Sequence, residues 1–450
     1  MRIALLASAL SLLIAPGSTP PAPATAQAAS DTPWEEGLWL LRSGKYLQSV
    51  DRLRPAASRS TNPEDYSYQV WRQVSAMIGG YAAPPPVTLG QEPLSAQIAA
   101  KLRRARTKDA VAAIVAAARS TRVVILNQET GSPRDHLFAL QVARALRPLG
   151  YDLLALEALD NPARTPGRLE RERFLRRNAG MDTLYDPVLA DFARQAFAIG
   201  YKPLAYEETF EQHLAGGAEW PRRWQSQAEN LAAQIRLHPG HKVFAYVGFM
   251  QVPEKPMPRT WGTIESMPAR LKKLTGMDPL TIEQASVSGD TLYRPGREAW
   301  RLVAPKLRRS SVLLVDGRPF PIGAIARATD IQVVHPRTRF RYGRPTWLAS
   351  LRRFPRRVPP RLLPRSGRRL VQAFLAAEPR DAIPLDQVLV EAGKPVPRLM
   401  LPRARIRYAV QDPEVKEAPS AASRNPRGGN GQGSRRPRSA YAPVRNRGWR

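Results

Sequence analysis

Arg122-Val-Val-Ile-Leu126 is a short apolar run, and the polar stretch Asn127-Gln-Glu-Thr-Gly-Ser-Pro-Arg-Asp-His136 follows it directly. Leu137–Leu149 then sets Leu137, Leu140, Val142, Ala145 and Leu149 largely along one helical side, and Gly150 stops it. Asp152-Leu-Leu-Ala-Leu-Glu157 is a second buried run, with a carboxylate at its C-terminal end. The order strand, polar loop, helix, strand predicts a parallel pair. The loop is too polar for core and too long for a simple turn. In open α/β sheets the crevice beyond such strand ends holds the ligand, so function is sought there.

Working outward, the alternation continues. Asp186-Pro187 opens a helix over Val188–Ile199, Gly200 ends it, and Lys202-Pro-Leu-Ala-Tyr-Glu207 makes a third strand. Trp220–Leu237 is a long amphipathic helix, and Lys242-Val-Phe-Ala-Tyr-Val247 with Gly248 is a fourth strand. Leu169–Arg177 and Met267–Thr275 read as helices, and Leu280–Ala285 and Ser311–Val315 as strands that extend the unit. The predicted fold class is α/β, a mostly parallel sheet flanked by helices. Helices over 34–43, 46–57, 65–78, 94–105 and 108–120 form an N-terminal cap. From Ile331 onward, short strands at Ile331–Val334, Gln387–Val390, Leu399–Leu401 and Ile406–Val410 suggest a small β-rich C-terminal part. The expected divisions are a signal peptide over 1–28, a helical region over 29–120, an α/β core over 121–320, a β-rich region over 321–415 and a disordered tail over 416–450.

Composition sets the compartment and the excluded chemistries. Met1-Arg2, the apolar run Ile3–Ile14 and small-x-small sites at Ala24-Thr-Ala26 and Ala26-Gln-Ala28 read as a signal peptide. The apolar run is well short of the roughly 20 residues that span a bilayer, so the mature chain is expected to be soluble, without a transmembrane segment, and periplasmic or secreted. The 450 residues include no cysteine, which excludes disulfides, a lipoprotein anchor and thiolate metal sites. Net charge is +31, and Arg337 to Arg369 contains many arginines but no acid. The segment Ala418–Arg450 is likewise basic and rich in Gly, Ser, Pro and Asn, a composition that cannot bury a core. Such segments attract polyanions, and for an exported chain the nearest are envelope glycolipids and phospholipids. No groove-reading motif or stacking platform points to nucleic acid. Solvated arginine faces are the plainer reading of the same charge.

Four strand ends carry the candidate site. Asn127, Gln128, Glu129 and Thr130 follow the first, Glu157 the second, Tyr206 and Glu207 the third, and Gly248 and Gln251 the fourth. Carboxylates gathered there could bind a hard cation or work as acid and base, or could be buried, hydrogen-bonded structural groups. His213 lies in Phe210–Gly217, a loop able to fold over the site as a lid or simply a surface loop. His238 and His241 precede the fourth strand, at the wrong end for chemistry, and His335 belongs to the C-terminal part. Trp220, Trp224 and Trp261 are candidate ligand walls, with helix packing as the default.

The order of these segments resembles the haem-binding uptake/erythromycin-esterase-like/Tiki superfamily of exported α/β proteins. The resemblance runs from about Arg122 to Gln284, through Val-Val-Ile-Leu-Asn127, Leu-Gly150-Tyr-Asp-Leu-Leu-Ala-Leu-Glu157, Ala-Ile-Gly200-Tyr-Lys-Pro-Leu-Ala-Tyr-Glu207, Gln227-Ala-Glu-Asn-Leu231 and Lys242-Val-Phe-Ala-Tyr-Val-Gly248. Leu274-Thr-Gly-Met-Asp-Pro-Leu-Thr-Ile-Glu-Gln284 completes it. Members carry Asn-Glu-x-His after the first strand, a glutamate after the second, Tyr-Glu after the third and Gly-x-x-His after the fourth. The resemblance implies that Glu157 and Glu207 are retained, while Gln128, Thr130 and Gln251 replace the family's glutamate and two histidines. His136 is offset by one from a further family histidine, with Asp135 in its place.

Glutamine cannot act as a base, and neither Thr130 nor Gln251 can shuttle protons as imidazole does. General acid–base help is worth about 10²–10⁴-fold, so the expectation is a non-catalytic, hydrolase-like descendant that keeps a pocket for an unknown small ligand. The alternatives are a hydrolase with a rearranged site of Glu129, His136, Glu157 and Glu207, and an envelope-associated protein held by its arginines. No metal site and no cofactor is assigned. An axial residue for haem is not evident.

Overall fold

A computed structural model describes residues 32–60, 65–80, 93–157, 159–161, 164–216, 220–259 and 262–413. The leader-like segment, Trp261 and the basic tail lie outside these residues. Strands β1 (Val123–Gln128), β2 (Tyr151–Leu156), β3 (Lys202–Leu204), β4 (Lys242–Gly248), β5 (Leu280–Glu283) and β6 (Ile331–Gln332) form one sheet. Its order is β6-β5-β1-β4-β2-β3, and every pairing in it is parallel. This is the α/β architecture the sequence predicts. The central strands are covered on both faces, which is why their sequences read as continuous apolar runs and not as alternation.

The longer helices are, in chain order, α1 (Pro33–Arg42), α2 (Tyr46–Arg59), α3 (Tyr66–Met77), α4 (Ala96–Arg104), α5 (Ala110–Ala117) and α6 (Pro133–Leu146). They continue with α7 (Arg164–Glu172), α8 (Pro187–Ala198), α9 (Phe210–Gly216), α10 (Trp220–Leu237), α11 (Met267–Thr275) and α12 (Arg294–Val303). One face of the sheet packs Val124, Leu126, Leu154, Phe244 and Tyr246 against Phe138 and Val142 of α6 and Phe192 of α8. The other packs Val123, Ile125, Ala155, Ala245 and Val247 against Trp224 and Leu231 of α10 and Leu271 of α11. Local signals set the helix ends. Asp186 caps α8 by accepting from the backbone N–H of Val188 at 2.6 Å and Leu189 at 3.1 Å, with Pro187 at the first helical position. Gly150, at φ 88°, lets the chain turn left-handed out of the α6 region and into β2.

Several expectations change. Of the expected loop Phe210–Gly217, the described part, Phe210–Gly216, is helical: Thr209 and Gln212 exchange side-chain and backbone hydrogen bonds at 2.9 and 3.2 Å, a capping box that starts α9. Lys108 and Asp109, expected to start the helix over 108–120, instead belong to a strand, Arg106–Asp109, that pairs antiparallel with Ser311–Val315. Those two runs, with Arg318–Pro319, make a separate three-stranded sheet, so Ser311–Val315 does not extend the parallel one. The sixth parallel strand is instead Ile331–Gln332, which the division at 321 assigns to the C-terminal part; it pairs with Ile282 and Glu283. The longest strand among the described residues, β7 (Arg368–Leu375), is not apparent from the sequence because its charged start Arg368-Arg369 masks the apolar Leu370 and Val371. With β8 (Asp386–Glu391) and β9 (Ile406–Gln411) it forms an antiparallel sheet in the order β8-β7-β9.

The described residues from Pro33 to Pro413 belong to one compact unit. Leu370, Ile383 and Met400 of the C-terminal part pack into the same apolar cluster as α6 and α8. Arg194 of α8 makes a bidentate pair with Glu378, both bonds 2.8 Å, and Arg353 meets Asp191 at 2.7 Å. All four side chains are buried. No described helix is long and apolar enough to cross a membrane.

Candidate functional site

Glu157 follows β2 by one residue, and Glu207 lies three beyond β3, so parallel pairing brings both carboxylates to one end of the sheet. Facing them, α10 presents Arg223 and Gln227, four residues apart and therefore on one helical side. Arg223 bridges the two acids: Nη2 lies 3.1 Å from Glu157 Oε1 and 2.7 Å from Glu207 Oε2, and Nε donates to Glu207 Oε1 at 3.0 Å. Gln227 Nε2 donates to both Glu207 oxygens at 3.0 and 3.1 Å. From the turn after β4, the Gln251 amide donates to Glu157 Oε1. Asn161 and Asn230 each hold the Glu207 carbonyl at 2.8 Å.

A glycine is required at 248. A Cβ there would stand 2.8 Å from Glu157 Oε2, so any side chain would push the carboxylate out of its place. Burial raises the Glu157 carboxyl above its usual range, and the nearby Arg223 guanidinium opposes that shift without cancelling it. For Arg223 burial works against the charge, but Glu207 and Glu157 outweigh it and hold the guanidinium ionised. Burial, then the two glutamates, keep the Tyr206 phenol neutral far above its ordinary range.

The orientation of the two glutamines follows from chemistry. A carboxylate only accepts, so each amide must turn its N–H₂ toward its glutamate and its oxygen away. Gln227 Oε1, Gln251 Oε1 and Tyr206 Oη are then buried and find no hydrogen-bond partner among the described residues. A buried unsatisfied polar atom costs about 1–3 kcal/mol. Around one ion cluster stand two amide oxygens that accept and one phenol hydroxyl that can donate or accept, all without a partner among the described residues.

The remaining candidates are placed elsewhere. His136 lies on the opposite face of the sheet, with Nδ1 2.8 Å from Tyr246 Oη. Burial lowers it to about 3, so it is neutral, and its 3.9 Å approach to Asp186 is not an ion pair. Glu129 turns outward from β1 to Arg72 of α3 at 3.0 Å; burial raises its carboxyl and Arg72 partly offsets this. Thr130 is exposed in the following turn. Asn127 is structural: its Oδ1 accepts from Gln284 N at 2.9 Å and its Nδ2 donates to Phe249 O at 3.2 Å, which ties β1 to the segments after β4 and β5. Gln128 is buried, with Oε1 unpartnered among the described residues, and pairs in register with Gly248. The four-residue set Glu129, His136, Glu157 and Glu207 is therefore not assembled; only the two glutamates beyond β2 and β3 meet. The physical reason is side-chain direction, since α6 carries His136 beneath the sheet while α10 closes over its other face.

Sequence reasoning missed Arg223, the centre of the cluster, although Gln227 was within a segment already singled out. Their spacing of four on an amphipathic helix that follows Tyr206-Glu207 was the available signal. His213, on α9, lies 3.1 Å from Glu208 Oε2, beside the cluster. His241 meets Asp152 at 2.7 Å at the far end of the sheet. His335 is not peripheral: it is buried, with Nε2 3.0 Å from Gln284 Oε1 and Nδ1 2.8 Å from Ser310 Oγ. Among the described residues, no three His, Asp or Glu side chains gather as a metal-binding group.

No protein-family model matches this chain, and no curated protein is similar to it. Among solved structures, one described as "Bacterial protein toxins" is 15% identical over 53% of this chain and 54% of its own length, with a TM-score of 0.30. RRSP, a MARTX toxin effector domain from Vibrio vulnificus, is 15% identical over 53% of each chain, with a TM-score of 0.28. The type III effector HopBA1 is 12% identical over 52% of this chain and 96% of its own, at 0.30. The chain spans about half the length of the first two. Likenesses this distant carry no information about chemistry.

Proposed function

We propose that this is an exported protein that binds a small ligand at the strand ends without turning it over. The observation that carries the reading is the Arg223 bridge. It commits both strand-end glutamates to a shared guanidinium; Gln251 and Thr130 stand where the resembled family has histidines, and the nearby imidazole, His213, meets Glu208. Both carboxylates are oriented by charge-assisted hydrogen bonds from Arg223, which sets them to accept further donors from a ligand. The resemblance to the haem-binding uptake/erythromycin-esterase-like/Tiki superfamily, with its acid–base positions substituted, supports the same conclusion. The leader-like start at Met1–Ala28 supports export.

The ligand is donor-rich. Two carboxylates against one guanidinium leave surplus negative charge, and the three unpartnered atoms include two obligate acceptors. Ammonium, guanidinium or amide N–H groups satisfy both conditions. Thermal-shift titration with putrescine, methylguanidinium and N-methylacetamide tests the reading. At least one should raise the melting temperature of the wild type, and Gln251→Leu should abolish the rise. Ester or peptide turnover that disappears in Glu157→Gln would establish a hydrolase instead.

A further inference from the structure

The arginines between Arg337 and Arg369 divide into two sets. Arg344, Arg353, Arg368 and Arg369 each meet a carboxylate, on Asp386, Asp191, Asp51 and Asp412. These pairs brace the C-terminal part. Arg339, Arg341 and Arg356 are exposed and meet no carboxylate among the described residues. Exposed guanidinium groups without a carboxylate partner, in a span free of acids, create a field directed at solvent.

Exposed aromatic rings lie within that field. Phe340–Arg341 and Arg344–Pro345 form a hairpin, and Phe340 and Tyr342 are 53% and 43% exposed at its end. The hairpin joins a second strand pair, because Arg398 N donates to Tyr342 O at 3.1 Å and the next residues, Leu399–Leu401, pair with Phe354–Arg356. Phe354 is 44% exposed there. The two joined strand pairs thus carry three large exposed rings and exposed arginines that meet no carboxylate among the described residues. The hairpin tip is also strained: Tyr342 and Gly343 both have positive φ, 54° and 71°. A bulky aromatic is a costly choice where asparagine or glycine fits freely; here its ring lies against the Arg341 and Arg398 guanidinium groups.

We propose that this face docks on an anionic phospholipid surface, with Phe340, Tyr342 and Phe354 entering the headgroup boundary and the flanking arginines meeting phosphates. Interfacial anchoring combines exposed apolar side chains with cations in this manner. Single-stranded nucleic acid needs ring faces open for stacking. Tyr342 does not offer them: the Arg398 guanidinium lies 3.8 Å from its centroid and that of Arg341 4.9 Å. Phe354 likewise carries Arg403 at 5.1 Å. The docking face is separate from the Arg223 cluster, and either assignment can fail without the other.

Co-sedimentation of the full chain with phosphatidylcholine vesicles, with and without phosphatidylglycerol, is the test. Binding should require phosphatidylglycerol and weaken as salt rises. Converting Arg339, Arg341, Arg356 and Arg403 to Gln together should weaken it by about fivefold per arginine. Changing Phe340, Tyr342 and Phe354 to Ser should remove the part of binding that survives high salt. Both variants are read against an unchanged melting temperature; should the Gln variant unfold, the Arg→Lys set must restore vesicle binding. Binding that is indifferent to the arginine set, which places attraction elsewhere in the chain, overturns the proposal. So does oligonucleotide binding that the Ser variant loses while vesicles are ignored.

Discussion

Two buried neighbours on α6 give the protein opposed responses to pH. Burial holds Asp135 up to about 8, with the Glu129 N–H and Ser132 hydroxyl partly offsetting it, while burial holds His136 down to about 3. For Asp135 the folded value exceeds the unfolded one of about 3.9. Stability is therefore full below that value and lost as pH rises toward 8. His136 works the other way: its folded value lies below the unfolded one of about 6.5, so stability is full above that and lost as pH falls toward 3. Melting temperature followed from pH 3 to 9 should rise to a maximum and fall again. Asp135→Asn should flatten the alkaline limb and His136→Gln the acid limb. Unchanged limbs in both variants would show that neither group stays buried. The position of His136 was legible in the sequence, but its burial was not, because a polar loop and the first turn of a core helix read alike there.

Among the elements, α10 does most to define the candidate site. Its apolar side, through Trp224, Ala228, Leu231 and Ile235, packs on the face of the sheet opposite α6, and that packing fixes where Arg223 and Gln227 arrive. Replacing Arg223 with Leu leaves two mostly buried carboxylates without their shared cation. Removing one partner of a buried pair costs about 3–5 kcal/mol. Arg223 is not fully enclosed, so chemical denaturation should show a loss nearer the lower figure. The loss should shrink in the double variant with Glu207→Gln, because less charge is stranded; an additive loss would disprove the bridge. Amphipathic periodicity announced the helix correctly at Trp220–Leu237. It said nothing about which strand ends the polar side would meet, since that depends on the strand order.

At the scale of the molecule, the C-terminal part is built into the α/β core and does not hang from it. Arg194–Glu378 and Arg353–Asp191 cross the junction from α8, and apolar side chains from both parts share one cluster. Glu378→Ala should strand the buried Arg194 and cost about 3–5 kcal/mol, and calorimetry should still show a single transition. Two separated transitions would mean independent domains. What the sequence determined by itself was local in origin: hydrophobic runs of strand length, the caps and glycines that punctuate them, and the alternation of strand and helix that obliges a parallel sheet. It also placed Glu157 and Glu207 beyond successive strands. Only the tertiary structure decided that Ile331–Gln332 closes the sheet, that Asn127 and His136 serve packing, and that Arg223 joins the glutamates. Those outcomes depend on pairings between residues far apart in the chain and on which face each side chain enters, and no local pattern encodes either.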